Sequence, residues 1–364
     1  MPHLTKLWEL NGIGLGSTGI MCEDIDNDGE TEVITDSIFG DILIISGNTG
    51  EIKQREKVCD GRIADILVTD IDKDRCVELI IATWSGDIIV HKPSYGDLVK
   101  IAMPAKPLKI FSFDIDLDGI EELFVVDVSA SINIIRNGKI ISRISVDRPV
   151  YTLFFEDINY DGMKEIVIIH DSKISVYKLD NEHLSFLLET DFLFSPRQII
   201  LEDINGDGKS EIILSEEDNI YLLYDFLSQR YLALNAFSGE IIHFQLCDID
   251  LDSKTEIVSL VVDKTYRKCL KLVGVDGTVK YVWKLDIDAL RVYLGDLDGD
   301  GRHEFVMTDS SGAKIKCFDY IENIWCEKLL SESLLFLKLY DLNRDMKDEM
   351  ILRSPERIIT LSYI

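Results

Sequence analysis

The residues best suited to chemistry lie in one short stretch, Asp296-Leu-Asp298-Gly-Asp300-Gly301-Arg302-His303-Glu304. Carboxylates at positions 1, 3 and 5 of a tight loop, with glycine at 6 and another acid at 9, can close an oxygen cage around a hard cation. Ca²⁺ takes six to eight such oxygens at about 2.3–2.6 Å. Alternating Asp side chains turn inward, and glycine permits the positive φ that the turn needs. The backbone carbonyl of position 7 supplies one more oxygen, and a glutamate at 9 is long enough to reach back with both of its own.

The stretch recurs. Eight copies begin at Asp24, Asp70, Asp114, Asp157, Asp203, Asp248, Asp296 and Asp341, spaced 43 to 48 residues apart. Positions 1 and 5 are always Asp, position 9 is always Glu, and position 3 is Asp in five copies and Asn in three. Position 2 is always Ile or Leu and position 10 always apolar, which anchors both ends of the loop in a core. One acidic turn would be an ordinary solvated turn, but eight in phase point to cation binding. Five copies have Gly at position 6 and are the stronger expected sites. They are Asp24, Asp26, Asp28, Glu30 and Glu32; Asp114, Asp116, Asp118, Ile120 and Glu122; Asp157, Asn159, Asp161, Met163 and Glu165; Asp203, Asn205, Asp207, Lys209 and Glu211; and Asp296, Asp298, Asp300, Arg302 and Glu304. In each set the fourth residue offers its carbonyl. The other three carry Arg75, Ser253 or Met346 at position 6, where a Cβ strains the turn, and are the weaker expected sites. These are Asp70, Asp72, Asp74, Cys76 and Glu78; Asp248, Asp250, Asp252, Lys254 and Glu256; and Asp341, Asn343, Asp345, Lys347 and Glu349.

A fixed period in this range marks a repeat architecture. Each period holds four strand signals, A to D. In the first they are Gly19 to Ile25, Glu32 to Thr35, Asp41 to Ile45 and Glu51 to Gln54, with the acidic loop joining A to B. Four antiparallel strands in about 45 residues make a β-propeller blade. The eighth repeat has A (Leu334 to Asp341), B (Glu349 to Leu352) and C (Arg357 to Tyr363), and then the chain stops. Leu4 to Leu10, before the first repeat, resembles the missing D strand: its Trp8 matches Trp283 and Trp325 in the D strands of repeats six and seven. These tryptophans read as packing between blades. The expectation is an all-β, eight-bladed β-propeller over residues 1–364, with repeats from residue 17 and residues 3–10 completing the last blade. Such closure leaves no large unpaired edge.

Composition agrees with one large globular unit: 46% hydrophobic and 9% aromatic residues over 364 positions can bury a sizeable core. The net charge of −28 belongs to the loops, whose four acidic positions hold 29 of the 66 carboxylates; the remaining 37 acids nearly balance 38 bases. Without ions, such clustered charge repels itself. No basic stripe is present, so nucleic acid is not an expected partner. The seven cysteines show no disulfide spacing and read mostly as buried thiols. No signal-peptide pattern or membrane-length apolar run is seen, so a cytoplasmic chain without membrane insertion is expected, with an extracellular placement left open. The six histidines fall in no recognisable catalytic motif, and no phosphate-binding glycine loop is found; no enzyme activity is expected.

The Asp-x-Asp/Asn-x-Asp-Gly loop followed by a strand, from about Gly19 to the C-terminus, resembles the FG-GAP/VCBS repeat family, which includes the integrin-α propellers. The resemblance implies Ca²⁺ in the A–B loops, with Mg²⁺ at some of them. The family's Phe-Gly element survives only as Phe39-Gly40, and its Gly-Ala-Pro element only as Gly312-Ala313. Integrin propellers have seven blades. The eight-blade count and the Glu at position 9 are also similar to rhamnogalacturonan lyase propellers, although no catalytic set carries over.

On the face opposite the ions, the D-to-A turns carry Arg62, Lys106, Arg148, Arg197 and Arg291, and the B–C turns carry Trp84 and His170. They read either as solvated turn residues or as a contact surface for an anion or an acidic peptide, on the face the family uses for ligands. The favoured expectation is therefore a non-enzymatic scaffold that binds another protein and is stiffened by Ca²⁺. A glycan-binding or polysaccharide-lyase-like propeller and a quinoprotein-like propeller, the latter suggested by Thr49-Gly50-Glu51 and the D-strand tryptophans, are the alternatives.

Overall fold

The computed structural model describes residues 3–93, 96–159, 161–170, 173–180, 183–191, 196–208, 210–225, 230–265, 267–320 and 324–364. Among them every regular element is a β-strand, and the strands form eight four-stranded antiparallel sheets, the eight-bladed β-propeller that the period predicts. Blade 1 consists of Met21–Glu23, Glu32–Asp36, Asp41–Ser46 and Ile52–Lys57, side by side in chain order, and the next six blades repeat that order. In the last sheet Phe336–Tyr340, Glu349–Arg353 and Arg357–Tyr363 are followed by the N-terminal strand Leu4–Asn11, which takes the D position as expected. His3 and Ile364 exchange backbone hydrogen bonds of 2.8 and 3.1 Å at the end of this pair.

Burial explains the pattern. Strands B and C, such as Glu32–Asp36 and Asp41–Ser46, are buried along their whole length and read as continuous β-branched runs. Strand D, such as Ile52–Lys57, alternates half-buried and exposed residues, as suits an outer strand. Strand A of blade 1 is shorter than expected, because Asp36 diverts the chain before it. Its Oδ1 accepts the N–H and the hydroxyl of Thr18, at 3.2 and 2.7 Å, and Oδ2 accepts the N–H of Ser17. These bonds hold the segment out of the ladder until Met21.

The chain divides into two compact units. One holds Leu10–Leu193 and Pro355–Arg357; the other holds Met1–Glu9, Phe194–Ser354 and Ile358–Ile364. Within each unit the core lies between successive blades. In the first, Ile34 and Ile44 pack against Ile66 and Ile81, and Phe124 and Ile134 against Leu153 and Ile168. In the second, Leu260 and Leu272 meet Phe305 and Phe318. The D-strand tryptophans serve this packing: Trp283 lies 5.5 Å from Phe305 of the next blade, and Trp325 stacks on Phe318 at 4.0 Å. Among the described residues no helix is long and apolar enough to cross a membrane.

Candidate metal centres and contact surface

All eight A–B loops share one fold, held by bonds from their own acids. In each, the position-1 Asp accepts the position-6 N–H at 2.8–3.0 Å. The position-9 Glu accepts the position-2 N–H through Oε2 at 2.7–3.2 Å. In seven loops the position-5 Asp accepts the N–H of position 7, from Glu30, Cys76, Ile120, Met163, Lys254, Arg302 and Lys347. Lys209, the position-7 residue of loop 5, lies outside the described residues. Each glutamate thus spends one oxygen on its own loop.

The loops without glycine keep the same turn. Arg75, Ser253 and Met346 sit at φ of 72°, 65° and 69°, and their amides bond to position 1 like the others. Position 4 is left-handed too, at 57–61° for Asn27, Lys73, Leu117, Leu251 and Arg344, a demand the spacing did not reveal. Missing glycine therefore strains these loops without reshaping them. Compact acidic triplets, able to bring three oxygens within 4.8 Å of one another, occur at Asp24, Asp26 and Glu32; Asp70, Asp72 and Glu78; Asp114, Asp116 and Glu122; Asp248, Asp250 and Asp252; and Asp296, Asp298 and Asp300. They include two of the three loops that lack glycine.

What distinguishes the loops is the group facing the buried glutamate. Lys53 Nζ lies 2.6 Å from Glu32 and 2.9 Å from Asp28; Lys280 Nζ lies 2.6 Å from Glu256 and 2.9 Å from Asp250. Lys92 pairs with Glu78 at 2.9 Å and Asp74 at 2.8 Å, and Arg136 with Glu122 at 2.7 Å and Asp116 at 2.5 Å. Lys178 bonds Asp161 and stands 3.8 Å from Glu165. Sequence reasoning missed all five, although register could have found three. Pairing of Leu79 with His91, Leu123 with Ile135 and Ile166 with Tyr177 sets Lys92, Arg136 and Lys178 opposite the glutamates. In blades 1 and 6 the opposite residue is small, Ser46 or Gly274, and the lysine reaches over it from strand D.

Burial raises the pKa of every one of these glutamates, because the charged form loses its water. In blades 1, 2, 3, 4 and 6 the basic partner opposes the rise. Where none does, burial together with neighbouring aspartates pushes Glu211 and Glu349 up to about 7 and Glu304 up to about 8. Asn205 and Asn343 donate to the second oxygens of Glu211 and Glu349, at 2.8 and 3.3 Å.

On the B–C turns of the first unit, Trp84 is 48% exposed, with Lys106 Nζ 3.2 Å from its ring centroid. Trp84 N–H bonds Arg62 O at 3.0 Å, and Val128 N–H bonds Lys106 O at 2.9 Å, so Arg62, Trp84, Lys106 and Val128 form one strip. Arg62, Arg148, Arg197 and Arg291 are exposed. Arg197 is held by Glu240 at 2.6 Å and Glu217 at 3.4 Å. His170 does not belong to this surface. It closes the fully buried strand Glu165–His170, its Nε2 lies 2.7 Å from Ser175 Oγ, and it is 1% exposed. Gly40, of the one Phe-Gly element, has φ +81°, and a Cβ there would meet Gly61 O at 2.4 Å.

Besides the buried Ser175–His170 pair, Cys247 Sγ lies 2.8 Å from His303 Nδ1. Burial, with Asp248, Glu256 and Glu202 nearby, pushes that thiol up to about 12, so it stays protonated and unreactive at neutral pH. His303 of loop 7 packs against this thiol.

No family model and no curated protein sequence matches the chain. Among solved structures it is similar to BBS1N in complex with ARL6DN, at 10% identity and TM-score 0.55, covering 99% of this chain and 97% of that one. It is also similar to the computationally designed Ika8 protein, at 12% identity and TM-score 0.67, with 99% of both chains covered. BamB from Moraxella catarrhalis aligns at 11% identity and TM-score 0.60, again over 99% of both chains. At these identities the likeness is one of fold.

Proposed function

We propose that this protein is a non-enzymatic scaffold that binds an acidic, amphipathic segment of another protein, with Ca²⁺ held structurally in A–B loops. The carrying observation is the strip of Trp84 under Lys106, flanked by Arg62 and Val128. A large exposed aromatic beneath an ammonium, in a chain of net charge −28, offers apolar area and local positive charge together. The similarity of fold to BBS1N, solved in complex with ARL6DN, supports a protein partner. The resemblance to FG-GAP/VCBS repeats supports calcium as the ion, and the oxygen-only character of the loops fits a hard cation.

A library of acidic amphipathic peptides, screened against the wild type and against W84A, K106E and K254A, tests the surface. Peptides captured by the wild type should be lost to W84A and K106E and kept by K254A, whose change lies on the loop face. Capture unaffected by W84A and K106E overturns the assignment.

A further inference from the structure

Each A–B loop gathers negative charge, yet the loops balance it in different ways. In blades 1, 2, 3, 4 and 6 a lysine or arginine from the same blade stands where a cation would, within 4 Å of the position-9 Glu and paired with at least one loop Asp; in blade 4 the group bonded to Glu165 itself is the Asn159 amide, at 2.7 Å, with Lys178 3.8 Å away. Lys53 and Lys280 reach three carboxylates each, at 2.6–3.8 Å. A divalent ion entering such a cage would have to expel a fixed positive charge or sit against it, and like charges a few ångströms apart repel strongly in a half-buried site. In loops 5 and 8 no such cation is seen among the described residues, and an Asn amide, as in loop 4, occupies the second glutamate oxygen instead.

Loop 7 has neither device. Glu304 is 4% exposed; its Oε2 takes the Leu297 N–H, and among the described residues no donor meets the other oxygen. Asp296, Asp298 and Asp319 are the charges around it. Asp319 is an addition peculiar to this blade: Phe305 pairs with Phe318, which sets an aspartate opposite the glutamate where blades 2, 3 and 4 have Lys92, Arg136 and Lys178. Arg302 reaches only the rim, at 4.0 Å from Asp300.

We propose that Lys53, Lys92, Arg136, Lys178 and Lys280 are built-in counter-ions that replace the divalent cation in five loops, and that loop 7 is the one cage left to hold an ion. The proposal rests on the calcium reading above and narrows it from eight sites to one. A nearly buried carboxylate, one oxygen of which meets no donor among the described residues, beside three further acids, suits a hard cation. Five cages with a resident ammonium or guanidinium keep their shape at any calcium concentration.

Native mass spectrometry of the full chain with added Ca²⁺ counts the ions directly. The wild type should carry one, D298N and D300N none, and D250N still one; the use of two loop-7 variants guards against misfolding in either. K53M and K280M should each carry two, the second ion entering the vacated cage. Two or more ions on the wild type overturn the confinement to loop 7 and leave the calcium reading standing. No second ion on K53M or K280M overturns the counter-ion role. No ion on the wild type, with one gained by K53M, overturns calcium as a native ligand while the counter-ion role stands; no ion on any variant overturns both.

Discussion

Glu304 Oε2 accepts the N–H of Leu297 at 2.7 Å from a nearly buried position, and this bond ties loop 7 to its strand. The same bond recurs in every blade; among the described residues Glu304, Glu211 and Glu349 make it with no basic side chain against the carboxylate, and their pKa values rise to about 8, 7 and 7. A pH dependence follows. An acid whose pKa is higher folded than unfolded binds its proton more tightly in the native state, so stability is lost as pH climbs from about 4.5 toward 8. His243 acts in the opposite direction: burial, with Arg291 nearby, holds it down at about 4, and stability is lost as pH falls from 6.5 to 4. The two overlap below 6.5. In metal-free buffer the melting temperature should therefore fall clearly between pH 6.5 and 8.5, and E304Q should flatten that slope. A wild-type midpoint constant over this range contradicts the assignment.

Calcium should reverse the loss at high pH. An ion that binds only the native state stabilises it by RT ln(1 + [L]/Kd), about 2.7 kcal/mol for one site at a hundredfold excess over Kd. In a chain of this size that is a shift of about 2–4 °C. Thermal melts at pH 8 with calcium and with EGTA should differ by this much, and the difference should shrink at pH 5.5, where protonated Glu304 cannot compete for the ion. Identical melts in calcium and EGTA at pH 8 would remove the structural role of the metal.

The ease of reading the fold and the difficulty of reading the site have separate causes. The loop spacing, the apolar position 10 and the missing eighth D strand are local features repeated eight times, so they reinforce one another in sequence, and the N-terminal strand paired where Trp8 predicted. Side chains that reach in from another strand leave no such trace. Lys92 and Lys53 meet their glutamates from different strands, 14 and 21 residues downstream, and only register reveals that both fill the same kind of cage. His170 looked like a turn residue because it precedes the B–C turn, yet it ends a strand buried on both faces. Glycine at position 6 does not decide the shape of the turn, which Ser253 keeps at φ 65°.

That strain is itself measurable. A non-glycine residue in the left-handed region costs about 1–2 kcal/mol, part of which glycine returns to the unfolded chain as entropy. Replacing Ser253 (φ 65°) or Met346 (φ 69°) with glycine should stabilise the protein by about 0.5–1 kcal/mol in urea unfolding. Replacing Gly119 (φ 92°) with alanine should cost a similar amount. A destabilised S253G would show that the Ser253 side chain makes a contact worth more than its backbone strain.

Cutting one buried pair tests the self-neutralised loops in the opposite sense. Glu122 is fully buried, accepts the Ile115 N–H at 3.1 Å and holds Arg136, whose side chain is 13% exposed. Removing it as E122A strands a guanidinium and an amide together, and breaking a buried ion pair from one side costs about 3–5 kcal/mol. The double variant E122A/R136M removes both charges and should recover a large part of that loss, since the stranded guanidinium is then gone. Calcium should shift the midpoint of E122A no differently from that of the wild type, because Arg136 still occupies loop 3. A double variant no more stable than E122A alone would mean that the lost amide bond, not the ion pair, sets the stability of this blade.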